Sequence, residues 1–215
     1  MVVSTERTVS IRVGDVTLGG ALGIPPNARG VVVFAHGSGS GRFSPRNQYV
    51  ARVLRAGGIG TLLMDLLEEW ESDDRRKVFD IDLLAERLIG ATAWLQQEPE
   101  TEGMAIGYFG ASTGAAAALE AAAKLDDQIK AVVSRGGRPD LAMQYLPEVT
   151  APTLLIVGGL DSPVISMNQE AYDHLPGIKE MVVVPGATHL FEEPGTLEKV
   201  AELARDWFQR FLAGD

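Results

Sequence analysis

The sequence predicts an α/β fold in which a mostly parallel sheet of about eight strands is flanked by helices, and three observations predict it. Short apolar, β-branched runs alternate with longer amphipathic segments along the whole chain. Several of these runs are hydrophobic at nearly every position, as strands buried on both faces are. The 215 residues, 46% hydrophobic and 22% charged, suit a single globular domain over residues 1–215, with a large core and no disordered bias.

Taken in order, residues 8–13 and 16–24 flank Gly14-Asp15, a turn pair that predicts an antiparallel hairpin. Five apolar strands follow, at 30–35, 60–64, 104–109, 129–133 and 152–157, and a last one at 180–184. Between them, Ile81–Gln97 sets Leu84, Leu88, Ala91 and Leu95 on one helical stripe. The Ala-rich stretch 115–124 reads as helix and 168–174 as a polar helix. Behind Thr196 as N-cap, Leu197, Val200, Ala204, Trp207 and Phe211 recur at helical spacing as core residues. The charge-rich stretch 68–77 (EEWESDDRRK) reads as a solvated loop, with a mobile rim over the site as the other reading. Residues 134–151 are too few for a helical cap, so no large cap domain is expected.

Composition excludes several functions. The net charge of −10 counts against nucleic acid, because phosphate backbones reward clustered Lys and Arg. With no cysteine there is no disulfide framework, no thiolate nucleophile and no sulfur metal site. The opening MVVSTER lacks the basic start and apolar stretch of a secretory leader. No apolar run approaches the roughly 18 residues of a membrane span. The expectation is a cytoplasmic protein with no nucleic-acid or membrane partner.

The chemistry begins at Gly110-Ala111-Ser112-Thr113-Gly114, which follows a strand and opens a helix. That is the context a nucleophile elbow requires. Larger side chains at Gly110 and Gly114 would clash in so tight a turn, and the turn lifts the Ser112 hydroxyl above the strand ends. A serine needs a base to take its proton. Of three histidines, His189 is the candidate, in a loop between the last strand and the last helix. His174 reads as an exposed helix residue. His36, at the head of a glycine-rich loop, is expected to shape that loop and is carried as a candidate substrate contact.

Asp161 follows the strand ending at Val157 and is the candidate acid that orients the imidazole; Asp65, also at a strand end, is the fallback. The order Ser112, Asp161, His189 is the Ser, acid, His order expected on this architecture. An acyl-transfer oxyanion needs two donors. The Thr113 amide, at a helix N-terminus, is one. The Ser38 amide, in His36-Gly37-Ser38-Gly39-Ser40-Gly41, is the other. That loop lacks the G-x-G-x-x-G spacing and the G-K-[ST] of phosphate-cradling loops.

With these motifs, from GVVVFAHGSG (30–39) through GYFGASTG (107–114) to GATH (186–189), the chain resembles the α/β-hydrolase superfamily and, within it, dienelactone hydrolase-like serine hydrolases. The resemblance spans nearly the whole chain and implies hydrolysis through an acyl-enzyme, with no cofactor and no metal. Two positions depart from dienelactone hydrolases proper, which place a cysteine at Ser112 and a glutamate in the HGSGS loop. The expected substrate is therefore a small carboxylic ester. The resemblance also implies association with a phosphoribosyltransferase-like protein.

In Ser134-Arg135-Gly136-Gly137-Arg138, two arginines reach a strand's carboxyl end, where either could hold a substrate anion or pair with surface acids. Phe43 and Tyr145 could line the same crevice. Acyl transfer, or thioester or amide cleavage, would use the same three residues. From another class, the chain could be a non-catalytic binding or accessory module. A homodimer is left open.

Overall fold

The computed structural model describes residues 6–213; residues 1–5, within the stretch read for a leader, and 214–215 lie outside it. The strands are β1 (Arg7–Val13), β2 (Val16–Gly23), β3 (Gly30–Ala35), β4 (Gly60–Met64), β5 (Ala105–Ala111), β6 (Ile129–Arg135), β7 (Thr153–Gly158) and β8 (Lys179–Val184). They form one eight-stranded sheet in the order β1-β2-β4-β3-β5-β6-β7-β8. β1 pairs with β2, and β2 with β4, antiparallel; every other pairing is parallel.

The helices are α1 (Pro45–Ala56), α2 (Glu69–Ser72), α3 (Arg75–Val78), α4 (Ile81–Gln97), α5 (Thr113–Leu125), α6 (Ser162–His174) and α7 (Thr196–Leu212). Alternation along each strand sends neighbouring side chains to opposite faces. Val31 and Val33 pack with Leu84, Leu88 and the α5 alanines on one face; Val32 and Phe34 pack with Leu54, Trp207 and Phe208 on the other. Fully buried β3 and β4 explain the unbroken apolar runs read in the sequence.

The chain runs outward from β3 through α1 to β4, then returns through α4 to β5 on the opposite side of β3. The carboxyl ends of β3 and β5 therefore flank a topological switch point, where an open α/β sheet leaves a crevice. The segment between β6 and β7 holds only a 3-10 stretch, Pro139–Glu148, and no cap domain.

Two local expectations need correction, and one helix goes beyond them. α1 was not foreseen, although Ser44 accepts from the Asn47 N–H and Pro45 opens the helix, a start signal present in the sequence. Residues 68–77 are not a plain solvated loop. They form α2 and α3, and Glu71, 2% exposed, takes Arg87 Nη2 at 2.9 Å and Nη1 at 3.2 Å, which ties the segment to α4. Thr196 is the first residue of α7 rather than its cap: left-handed Gly195 precedes the helix, and the Thr196 hydroxyl donates to Glu193 O at 2.7 Å. Among the described residues, no helix is long and apolar enough to cross a membrane.

Candidate active site

Ser112 joins β5 to α5 with φ 52° and ψ −121°, a backbone conformation that a non-glycine residue adopts only when its surroundings enforce it. Those surroundings are visible. The Ser112 N–H donates to Arg135 O at 3.3 Å, and Ser112 O accepts from Ala115 N at 3.1 Å and Arg138 N at 3.0 Å. A Cβ on Gly110 would collide with the Ala115 backbone, and one on Gly114 with the Ala35 and His36 carbonyls. The alanines of α5 serve the same end, since small side chains let the helix seat against the sheet directly behind the turn.

His189 stands between β8 and α7. Its Nδ1 lies 2.7 Å from Asp161 Oδ2. The two loops are laced through the backbone: Gly159 N donates to Val184 O at 2.8 Å and Leu160 N to Ala187 O at 3.0 Å. Gly158 permits that approach, because a Cβ there would sit 2.8 Å from Thr188 O. The Thr188 N–H, donating to Glu193 Oε2 at 3.1 Å, closes the histidine loop on itself.

Ser112 and His189 face one cavity of about 200 Å³, together with Ser38, Asn47, Arg46 and Arg135. A second cavity, about 170 Å³, lies under the Gly37–Ser40 loop and joins Ser38 and Thr113 to the apolar side chains of Leu67, Val78 and Leu84. A larger space of about 620 Å³ opens over Asp65, Arg42 and Trp70, away from the serine.

Other candidates are placed elsewhere. Both His36 ring nitrogens are taken: Nδ1 meets Gly37 O at 2.9 Å, and Nε2 accepts the Leu66 N–H at 3.0 Å. Burial holds its pKa below the usual histidine value, so it is a neutral loop brace with no free ring nitrogen for substrate. Asp65, the fallback acid, is bound by the Arg42 backbone N–H at 2.7 Å and by its guanidinium. Arg138 clamps Asp140 through Nε and Nη2, at 2.9 and 2.8 Å, so its side chain is engaged beside its own turn. The Tyr145 hydroxyl donates to Asp82 at 3.3 Å, and Phe43 lies 70% exposed on the Asp65 side.

Arg135 is 5% exposed at the end of β6, inside the serine cavity. Burial, and then the charge of Arg46, push its pKa down to about 10, so it stays cationic at neutral pH. Arg46 and Asn47 are among the lining residues that the sequence reading missed, because they enter through α1.

Comparison with known proteins identifies the family and the fold. The family model of the dienelactone hydrolase family matches residues 18–213. The crystal structure of a dienelactone hydrolase from Anabaena variabilis is 57% identical, covering 97% of this chain and 99% of that one, with a TM-score of 0.95. At 16% and 19% identity, Est1E of Butyrivibrio proteoclasticus and the Pyrococcus furiosus esterase Pf2001 share the fold, with TM-scores of 0.83 and 0.81 over 96% and 97% of this chain and 99% and 94% of theirs. A Mycobacterium tuberculosis protein named "Putative phosphoribosyl transferase" is 57% identical over 97% of this chain, which spans only 47% of that protein. On the family match and the Anabaena structure together, the chain belongs to the dienelactone hydrolase family, hydrolases built on the α/β-hydrolase fold.

Proposed function

We propose that the chain is a serine hydrolase that cleaves small carboxylic esters through an acyl-enzyme on Ser112. The observation that carries this reading is the strained Ser112 backbone opening onto the same cavity as an imidazole whose far nitrogen is held by a carboxylate. Asp161 fixes the His189 tautomer with the proton on Nδ1, which leaves Nε2 free to accept the Ser112 proton. The serine oxygen then attacks the ester carbonyl. The oxyanion that forms is met by the Ser38 and Thr113 N–H groups; among the described residues neither donates to another protein group. His189 returns the proton to the leaving alcohol, and water repeats the sequence to free the acid.

The cavity of about 170 Å³ beside Ser38 and Thr113, walled in part by Leu67, Val78 and Leu84, has room for a short acyl chain. Substitution of cysteine by serine at the nucleophile position increases dependence on His189, because a serine hydroxyl is scarcely ionised without a base. The mycobacterial relative's name belongs to a protein about twice as long as the match, and we assign no phosphoribosyl transfer to this chain. Association with a phosphoribosyltransferase-like protein stays a proposal that rests on the sequence resemblance alone.

The test is labelling with a fluorophosphonate, followed by peptide mass spectrometry, alongside turnover of 4-nitrophenyl butanoate. An adduct on Ser112, lost together with turnover in His189→Ala, is expected. Turnover without any adduct on Ser112 would move the nucleophile elsewhere. Neither adduct nor turnover would favour a binding module.

A further inference from the structure

Asn168 lies on α6, outside both cavities that flank Ser112, and is fully buried. Its Nδ2 donates to Val164 O at 2.8 Å, one helical turn back, and to Gly137 O at 3.1 Å, on the turn that leaves β6. Both partners are carbonyls, so the amino end of the carboxamide has to face them. Oδ1 is buried and, among the described residues, has no partner. An amide with one end unsatisfied is a costly core residue. A leucine fills similar space without that cost, so packing alone does not account for the asparagine.

The bond to Gly137 reaches further than packing does. The Gly137 carbonyl and the Arg138 N–H belong to one planar peptide unit, so fixing one end fixes the other. The Arg138 N–H donates to Ser112 O at 3.0 Å. The Ser112 carbonyl in turn shares its peptide unit with the Thr113 N–H, one of the two donors proposed for the oxyanion. Asn168 thus heads a run of hydrogen bonds, Nδ2 to Gly137 O and Arg138 N to Ser112 O, that ends on the Thr113 amide. A carbonyl that accepts makes the N–H of the same peptide a better donor, and every N–H in this run points toward the serine end. The Ala115 N–H, 3.1 Å from Ser112 O, adds to the same polarisation from within α5.

Resting on Ser112 as the nucleophile, we infer that Asn168 is a positioning residue for the oxyanion hole. Through the Gly137–Arg138 peptide it holds and polarises the Ser112–Thr113 peptide, whose N–H meets the oxyanion. It touches neither the substrate nor the reacting atoms. Ground-state binding gains little from it, and the charge that builds on the carbonyl oxygen in the transition state gains most. Asp161 is the N-cap of the same helix, so α6 sets both the acid behind His189 and the amide across from it.

The test is Asn168→Leu, with kcat for 4-nitrophenyl butanoate expressed per serine titrated by a fluorophosphonate. That kcat should fall about tenfold, less than the roughly 10²–10³ lost with a whole oxyanion donor. KM should stay within about twofold, because acylation and deacylation both pass through an oxyanion and slow together. The turn also runs close to the base: a Cβ on Gly136 would sit 3.6 Å from His189 Cε1. The pH profile of kcat/KM separates the two routes, and its apparent pKa should equal that of the wild type. A profile that moves places the effect on His189 and overturns the inference. An unchanged kcat per titrated serine, or a loss carried by KM, overturns it too.

A measurement on the wild type does not depend on a variant that folds. Scalar couplings across hydrogen bonds, read by NMR, should link the Asn168 side-chain nitrogen to the Gly137 carbonyl carbon and the Arg138 nitrogen to the Ser112 carbonyl carbon. Absence of either, while couplings across the sheet are detected, overturns the run. A wild type that shows both couplings but takes no adduct on Ser112 overturns the hydrolase reading, while the run of hydrogen bonds itself stands.

Discussion

Asp65 and Asp161 occupy equivalent stations: each follows a strand at the carboxyl edge of the sheet, one after β4 and one after β7. Their surroundings make them different reagents. Asp161 presents Oδ2 to His189 Nδ1 at 2.7 Å, in a loop laced to the histidine loop by backbone hydrogen bonds. Asp65 spends both oxygens on Arg42. A carboxylate at a strand end is thus a common feature of the architecture, and the neighbouring loop decides whether it orients a base or closes an ion pair. β8 delivers a histidine next to Asp161; the loop after β3 delivers an arginine next to Asp65.

The largest effect should come from the serine served by the histidine that Asp161 holds. Ser112→Ala is expected to lower kcat for 4-nitrophenyl butanoate by at least about 10⁴-fold, measured against a buffer blank, with the fold retained by circular dichroism. Asp161→Asn should cost roughly 10³–10⁴-fold, because the amide stabilises the wrong imidazole tautomer. A loss below tenfold would return the acid's role to another group.

Asp65→Asn should change kcat less than about threefold. Its expected cost is in stability, about 1 kcal/mol by urea unfolding, since the Arg42 pair is part-exposed. A large kinetic loss in Asp65→Asn would erase the contrast between the two aspartates.

The smallest effect concerns His36, whose Nε2 braces Leu66, next to Asp65. Burial keeps its folded pKa below the usual 6.5. The unfolded chain therefore binds a proton that the folded chain refuses, and the stabilisation present above pH 6.5 is lost as pH falls through the folded value. Relative to His36→Gln, wild-type stability should decline on acidification below pH 6.5, by at most about 1.4 kcal/mol per pH unit. Parallel pH profiles of the two proteins would show that His36 titrates normally.

Much of this was legible in advance, for local reasons. The strands showed because burial on both faces demands unbroken apolar runs, and the Ser112 turn showed because its glycines are required by clashes within a few residues. What escaped was set by contacts distant in sequence. Arg138 seemed as well placed as Arg135, yet it folds back on Asp140 while Arg135 points into the cavity. Arg46 was passed over because the Ser44-Pro45 start of α1 was not read as a helix. Glu71 looked like one more surface charge, and Arg87, sixteen residues on, makes it a buried anchor.

By itself the sequence determined the alternation of strands and helices, the strained serine turn and the order of the residues grouped around it, because these follow from hydrophobic period and local sterics. Only the tertiary structure decided which aspartate meets the histidine, which histidine is sealed and which arginines face the serine. Each of those outcomes depends on one loop meeting another across the sheet's carboxyl edge, and chain spacing carries no measure of that distance.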